Sequence, residues 1–300
     1  MNYLKLSLKL IVSFGLVLYL ILTFDISRSW EVILKSNFFY FIISFIFIIL
    51  NYIFSAVRWK FLVLSEEKLS VWLYIKLYFI GSFFNNFLPT SIGGDAYKIL
   101  KLGEKIDSKT DAFTATFLER FLGMLALLTF SLYGILSFSN VDLSTFILGF
   151  VFIIGGFFGF LMFYPKFRFD HKFFNKIFSI LDKIHSSFMR YKKFPQILLV
   201  SLISSFIVQF FSIMSQYVLF QAVGFQIPLD FAFFAFPIIF LSGYAIPSLN
   251  GLGSQDFLYQ KFFNSIGVVS ETILAASVLY HLARFLVSLI GGIFYIIDRK

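Results

Sequence analysis

Six uninterrupted apolar runs constrain this chain more than any other feature: Leu6 to Phe24, Phe38 to Val57, Phe121 to Phe138, Ser144 to Tyr164, Ile197 to Phe220 and Ile273 to Ile297. Each approaches or exceeds the roughly 20 residues that a helix needs to cross hydrocarbon, where every backbone polar group must find a partner within the segment. The runs are continuous rather than alternating, which excludes an outer-membrane barrel. With 59% hydrophobic residues, 14% charged and a mean hydropathy of +0.88, a water-soluble fold could not cover its apolar side chains. The expectation is an all-α, polytopic inner-membrane protein. Residues 1–300 form a single integral-membrane domain, with no soluble domain large enough for an independent activity.

The first run follows Lys5 and Lys9 as a signal peptide would, but no small-residue cleavage site is evident, so it reads as a retained helix. There is no cysteine, and the three histidines, His171, His185 and His281, match no metal-ligand spacing. No cofactor or metal is expected. The net charge of +9 is concentrated in loops between apolar runs, the positive-inside pattern, and so points to topology rather than to nucleic acid. Residues 166–194 carry eight Lys or Arg against two Asp, with apolar residues at helical spacing. This is a basic amphipathic segment lying on the cytoplasmic leaflet, either gathering anionic lipid or anchoring the topology.

Two further apolar windows are broken in the same manner. Val71 to Leu88 runs into Pro89, Gly93, Gly94 and Asp95, and Phe231 to Ile246 runs into Pro247, Gly251, Gly253 and Asp256. Proline removes a helix donor, and glycine lets other groups approach the backbone. If both windows are re-entrant hairpins, 20 basic residues fall on the cytoplasmic side and 3 outside, with both termini cytoplasmic. Eight spanning helices with the amino terminus outside give 16 and 7, the weaker alternative. Opposite hairpin entries are what an inverted repeat produces, with halves of about 38–138 and 197–297. In secondary transporters such broken helices meet near the midplane around the substrate. Kinks or caps in spanning helices would leave the same sequence signs.

Ionisable groups in hydrocarbon cost several kcal/mol unless paired or wetted. Glu119 and Arg120 open the helix beginning near Phe121, and His281 and Arg284 sit inside the last run. Adjacent on a helix, Glu119 and Arg120 diverge by about 100°, so each needs its own partner. Arg120 or Arg284 is expected to pair with Asp95 or Asp256. A solvated helix start is the other reading of Glu119 and Arg120. Asn85 and Asn86 either offer amides to a headgroup or satisfy the broken backbone. Gln209 and Gln216 read as interhelical glue, and Trp30, Trp59 and Trp72 as interfacial anchors.

Arg58-Trp59, Gly81, Asn85, Pro89, Gly93-Gly94-Asp95, Glu119-Arg120, Gly251-Leu252-Gly253 with Asp256, and Arg284 with Gly291 occur in an order and spacing that resembles the membrane-embedded flippase-like family. That family includes the amino-terminal part of the bacterial lysylphosphatidylglycerol synthase and flippase, and the likeness covers nearly the whole chain. Lys98 stands where the family usually has Arg, and Asn250 and Asp256 where it has Gly and Glu. Lysine keeps the charge but loses the planar fork that arginine offers phosphate. The resemblance implies translocation of polar-headed lipids, such as aminoacylated phosphatidylglycerol or polyprenyl-linked sugars. In the fused enzyme a separate soluble domain transfers lysine, and the present chain is expected to lack it.

The leading expectation is therefore a flippase-like protein whose partner is membrane lipid. Its substrate-binding set is Asn85, Asn86, Gly93, Gly94, Asp95, Lys98, Glu119, Arg120, Gly251, Gly253, Asp256, His281 and Arg284. An intramembrane transferase or hydrolase using Asp95, Asp256 or Glu119 as base is a second reading. A non-catalytic scaffold for a glycosyltransferase or lipid-modifying enzyme is a third.

Overall fold

The computed structural model describes residues 26–87, 93–137, 175–245 and 251–298. The expected spans Leu6 to Phe24 and Ser144 to Tyr164 lie outside them, as do Pro89, Pro247, His171 and the first part of the basic segment. The described residues are helices joined by short loops and contain no strand: α1 (Ile26–Leu34), α2 (Phe38–Leu62), α3 (Val71–Phe87), α4 (Gly93–Lys105), α5 (Lys109–Ser137), α6 (Asn175–Arg190), α7 (Pro195–Ala222), α8 (Leu229–Ala245), α9 (Ser254–Asn264) and α10 (Ser270–Asp298). Four of them, α2, α5, α7 and α10, are long and apolar enough to cross a bilayer.

The most extensive packing is between α2 and α7, and its seam is polar. Ser44 donates to the Ser215 carbonyl at 2.7 Å, Asn51 to the Val208 carbonyl at 2.7 Å, and Arg58 to the Ser205 hydroxyl at 2.8 Å. The α2 donors recur every seven residues, so they lie on one stripe, and their partners descend along α7, which makes the pair antiparallel. Within an apolar bilayer lipid competes as well as leucine for a leucine face, so small and hydrogen-bonding residues hold helices together more specifically. At the opposite end of the seam the Asn37 amide donates to the Ala222 carbonyl at 2.8 Å. The outer faces carry Ile42, Ile46, Phe54, Leu199, Ile203 and Phe210, all exposed, as a lipid-facing surface requires.

Both broken windows are helical hairpins. Helix α3 has 17 residues, about 25 Å of rise, short of the roughly 30 Å hydrocarbon thickness. Helix α4 runs back along it. Asn85 accepts from the Gly94 amide at 2.8 Å, Phe84 meets Tyr97 with ring centres 4.9 Å apart, and Tyr78 meets Lys98. Gly94 is required here, since a Cβ would overlap the Gly81 carbonyl. Helix α8, also 17 residues, is likewise retraced by α9, through Phe231 with Phe263, Phe234 with Phe262 and Phe236 with Tyr259. Because α2 and α7 are antiparallel, the hairpin that follows each begins at the opposite end of the bundle.

Three sequence expectations are corrected. Helix α5 starts at Lys109, so Glu119 and Arg120 are interior residues of a 29-residue helix rather than its opening. The stretch Lys109 to Thr116 continues the helix because Ala112, Thr114, Ala115 and Thr116 are buried on the side that meets α4, α6 and the end of α2. Trp59 is no interfacial anchor: it is wholly buried and donates to the Thr116 hydroxyl at 3.0 Å, whereas Trp30 and Trp72 are exposed. Gln216 bonds the Ser212 carbonyl of its own helix, while Gln209 does reach across, to the Gly123 carbonyl. The basic segment contributes α6, which is pinned to the bundle. Asp111 accepts from Ser187 at 2.7 Å and from Arg190 at 2.8 Å, and the Tyr191 hydroxyl, its pKa raised by burial, donates to the Leu62 carbonyl.

Helix α10 closes on α3 through Gly291, where a Cβ would overlap the Phe79 carbonyl. Gly291→Ala is expected to lower stability by about 1–3 kcal/mol, the usual cost of forcing volume into a packed contact. Thermal unfolding of the detergent-solubilised protein checks this; an unchanged midpoint would mean that the two helices separate at no cost.

Candidate functional site

The polar stripe of α2 ends at Arg58, near the end of a 25-residue helix whose earlier turns are almost wholly apolar. Its guanidinium is 4% exposed and makes an ion pair with Glu119 at 3.1 Å. Glu119 is 2% exposed and its other oxygen meets Lys98 at 3.2 Å. Lys98 in turn lies 3.2 Å from Asp95, whose second oxygen accepts from Arg120. The chain of charges therefore runs Arg58, Glu119, Lys98, Asp95, Arg120, cation and carboxylate in alternation, drawn from α2, α4 and α5.

Each position has a local reason. Asp95 is the third residue of α4, where unpaired helix amides favour a carboxylate. Lys98 follows one turn later and is boxed by aromatic faces, its ammonium 4.2 Å from the Tyr78 ring centre and 4.8 Å from that of Trp59. Glu119 and Arg120, as adjacent residues of a helix, point apart and take different partners, as their spacing predicts. Arg120 is the most accessible of the five, its side chain 39% exposed.

Three cations against two carboxylates leave one positive charge in surplus. These residues border a cavity of about 140 Å³, room for several waters, completed by Asn51, Ser55, Gly123, Gln209 and Ser212. A polar cavity bordered by surplus positive charge is suited to an anion, and phosphate is the group that arginine's donors match best.

A second cluster is built on α9 and α10. Gly251 and Gly253 have φ of +89° and +80°, which shapes the turn into α9. The Asp256 carboxylate accepts from the Gly253 amide at 2.8 Å and lies 3.0 Å from His281 Nε2. Arg284 lies over the Tyr280 ring, its guanidinium carbon 5.4 Å from the ring centre, and borders a smaller cavity of about 30 Å³. That cavity shares Asn51 and Ser212 with the larger one, so the two are neighbours along the α2–α7 seam.

The expected site set is thus divided. Asp95, Lys98, Glu119 and Arg120 converge on the larger cavity, with Gly94 setting the approach of α4. Asp256 and His281 form a separate pair, and Arg284 stands between the two groups. Of the alternative pairings expected for Arg120 or Arg284 with Asp95 or Asp256, the structure forms Arg120 with Asp95, and Asp256 is met by His281. Asn85 satisfies the broken backbone at Gly94, and Asn86 donates to Ser288, so both amides have structural partners. Arg58 is the residue that sequence reasoning missed as a site member, since it reads as the first residue of a basic loop. Its signal was the seven-residue spacing Ser44, Asn51, Arg58. Among the described residues no three His, Asp or Glu side chains converge as metal ligands would.

Glu119→Gln would leave Arg58 and Lys98 buried with less counter-charge, a loss expected to cost about 3–5 kcal/mol. Arg120→Gln should cost less, because Asp95 keeps Lys98. Comparison of unfolding midpoints in detergent tests the order; equal midpoints would mean that Glu119 does not organise the cluster.

Comparison with known proteins places this arrangement in a family. The sequence pattern described as the lysylphosphatidylglycerol synthase TM region matches residues 6–292. No curated protein and no solved structure matches the chain significantly. The chain belongs to the family of lysylphosphatidylglycerol synthase transmembrane regions and is a membrane protein, and that membership is consistent with a lipid-related role.

Proposed function

We propose that this member of the lysylphosphatidylglycerol synthase transmembrane-region family moves a phosphate-bearing, polar-headed lipid between leaflets. The observation that carries the proposal is the buried cavity with three cations and two carboxylates, placed between helices long enough to span a bilayer. A headgroup phosphate would neutralise the surplus charge and occupy donors on Arg58 and Arg120, while the acyl chains stay in lipid beside the apolar outer faces. No bond needs to be made or broken. Both carboxylates are engaged by cations, which favours an electrostatic role over that of a general base.

The two hairpins supply the route on this reading. Helix α4 begins at the Gly93-Gly94 break and brings Asp95 and Lys98 to the cavity from its first turns, an arrangement of the kind that transporters use to place charged groups at broken helices. The halves of about 38–138 and 197–297 act as inverted copies, and rocking of one against the other along the α2–α7 seam gives alternating access. The protein resides in the cell membrane with both termini cytoplasmic, as the distribution of basic residues implies.

The test is reconstitution into vesicles of phosphatidylethanolamine and fluorescent phosphatidylglycerol, with dithionite added outside. Protein-containing vesicles should lose more fluorescence than empty ones. Arg120→Gln should slow the loss about 10–100-fold, the worth of one charge-assisted hydrogen bond. Lys76→Gln, which removes only an outlying pair with Asp298, should leave it unchanged. The reading fails if wild-type and empty vesicles bleach equally across a panel of anionic and polyprenyl lipids.

A further inference from the structure

The two acid–cation pairs occupy matching places. Asp95 is the third residue of α4 and Asp256 the third of α9. Arg120 and His281 are each the twelfth residue of a 29-residue helix, α5 and α10. In both pairs acid and cation are 25 residues apart. The same substructure is therefore built twice, once with arginine, which keeps its charge at every physiological pH, and once with histidine, which does not.

We propose that Asp256 and His281 form a reversible proton-binding site, and that its occupancy sets the rate of passage through the neighbouring charged cavity. With Asp256 facing Nε2, neutral His281 donates its Nε2 hydrogen to the carboxylate, and the pair carries one negative charge. A proton taken up at Nδ1 yields imidazolium opposite carboxylate, net zero, the charge that Asp95 with Arg120 has permanently. Loading this proton makes the two pairs electrostatically alike; releasing it makes them unlike. A monoanionic headgroup travelling with that proton would move no net charge against the membrane potential.

The other titratable groups around the pair are tyrosines and an arginine. Tyr259 faces the pair from α9, Tyr280 and Arg284 from α10, and Tyr52 approaches Arg284 from α2. Helix α8 presents Phe236 and Phe240 to those tyrosines, and α7 the Ser212 hydroxyl to Tyr280. Tyrosine and arginine ordinarily hold their protons from pH 5 to 8. The path to the larger cavity is short: Arg284 is one helical turn beyond His281, and its cavity shares Asn51 and Ser212 with the one bordered by Arg58.

The link to lipid rests on the proposed function; the proton site does not, and the experiment separates them. In histidine-selective NMR of the full chain in phosphatidylglycerol nanodiscs, one imidazole signal, identified by its loss in His281→Gln, should respond reversibly to pH. Asp256→Asn should displace that response to lower pH, since a carboxylate favours the imidazolium. A His281 signal that stays fixed, or a midpoint indifferent to Asp256→Asn, overturns the site. In vesicles of phosphatidylethanolamine and fluorescent phosphatidylglycerol, the wild-type rate should change with an imposed pH gradient, up to about tenfold per unit, the limit for one linked proton. His281→Arg should abolish that dependence whatever its basal rate, with His281→Gln as the second variant if the arginine does not fold. Equal wild-type rates under every gradient overturn the coupling and leave lipid passage standing. Vesicles in which the wild type moves no lipid overturn the proposed function instead, and the NMR titration then decides the proton site alone.

Discussion

Glu119 holds two cations that come from different parts of the chain, Arg58 from α2 and Lys98 from α4, at 3.1 and 3.2 Å. A charge withdrawn from water at this depth is tolerated only if others meet it closely, so each of the three side chains fixes the position of the other two. The consequence is geometric. The hairpin of α3 and α4 cannot slide along α5 without parting Lys98 from Glu119 and Asp95 from Arg120, and α2 cannot turn without parting Arg58 from Glu119. Trp59 and Tyr78 reinforce this by enclosing the Lys98 ammonium with their rings. The arrangement is a device for position rather than for stability, since a buried network of this kind usually contributes little net energy compared with apolar packing.

The α2–α7 seam serves the same end by weaker means. Ser44, Asn51 and Arg58 at seven-residue intervals bond a carbonyl, a carbonyl and a hydroxyl on the facing helix. Because lipid is as apolar as a leucine side chain, these bonds and the small serines decide where the two long helices touch. They also bring both cavities to the same interface, so a displacement along this seam would be felt by Arg58 at one end and Arg284 nearer the other. One contact surface thus joins the charged centre of one half to the histidine pair of the other.

Much of the fold was legible because its determinants are local. Apolar run length identified α2, α7 and α10 closely, and the proline-glycine breaks located the ends of α3 and α8. Helix α5 was read too short, because Lys109 to Thr116 look like loop until α4, α6 and the end of α2 cover them. Trp59 was misread for the same reason, since an indole at the end of an apolar run looks interfacial unless a partner such as Thr116 is brought to it. At the site, Asp95, Lys98, Glu119 and Arg120 stood out as costly charges. Arg58 did not, because its seven-residue spacing from Ser44 and Asn51 marks a shared stripe on the helix without marking that the helix end carrying it is buried.

The sequence by itself determined the solvent, the helical class, the breaks and which charges needed explaining, since run length, proline, glycine and ionisable residues act through nearest neighbours along the chain. Tertiary structure alone decided who meets whom. It gave Asp256 to His281 rather than to an arginine, and it set Glu119 between two cations from different helices. Such contacts join residues far apart in sequence, Ser44 with Ser215 across the α2–α7 seam among them. Coulomb and hydrogen-bond energies fall off over a few ångströms, so they depend on which side chains the fold brings that close, and a residue's place along the chain does not say which those are.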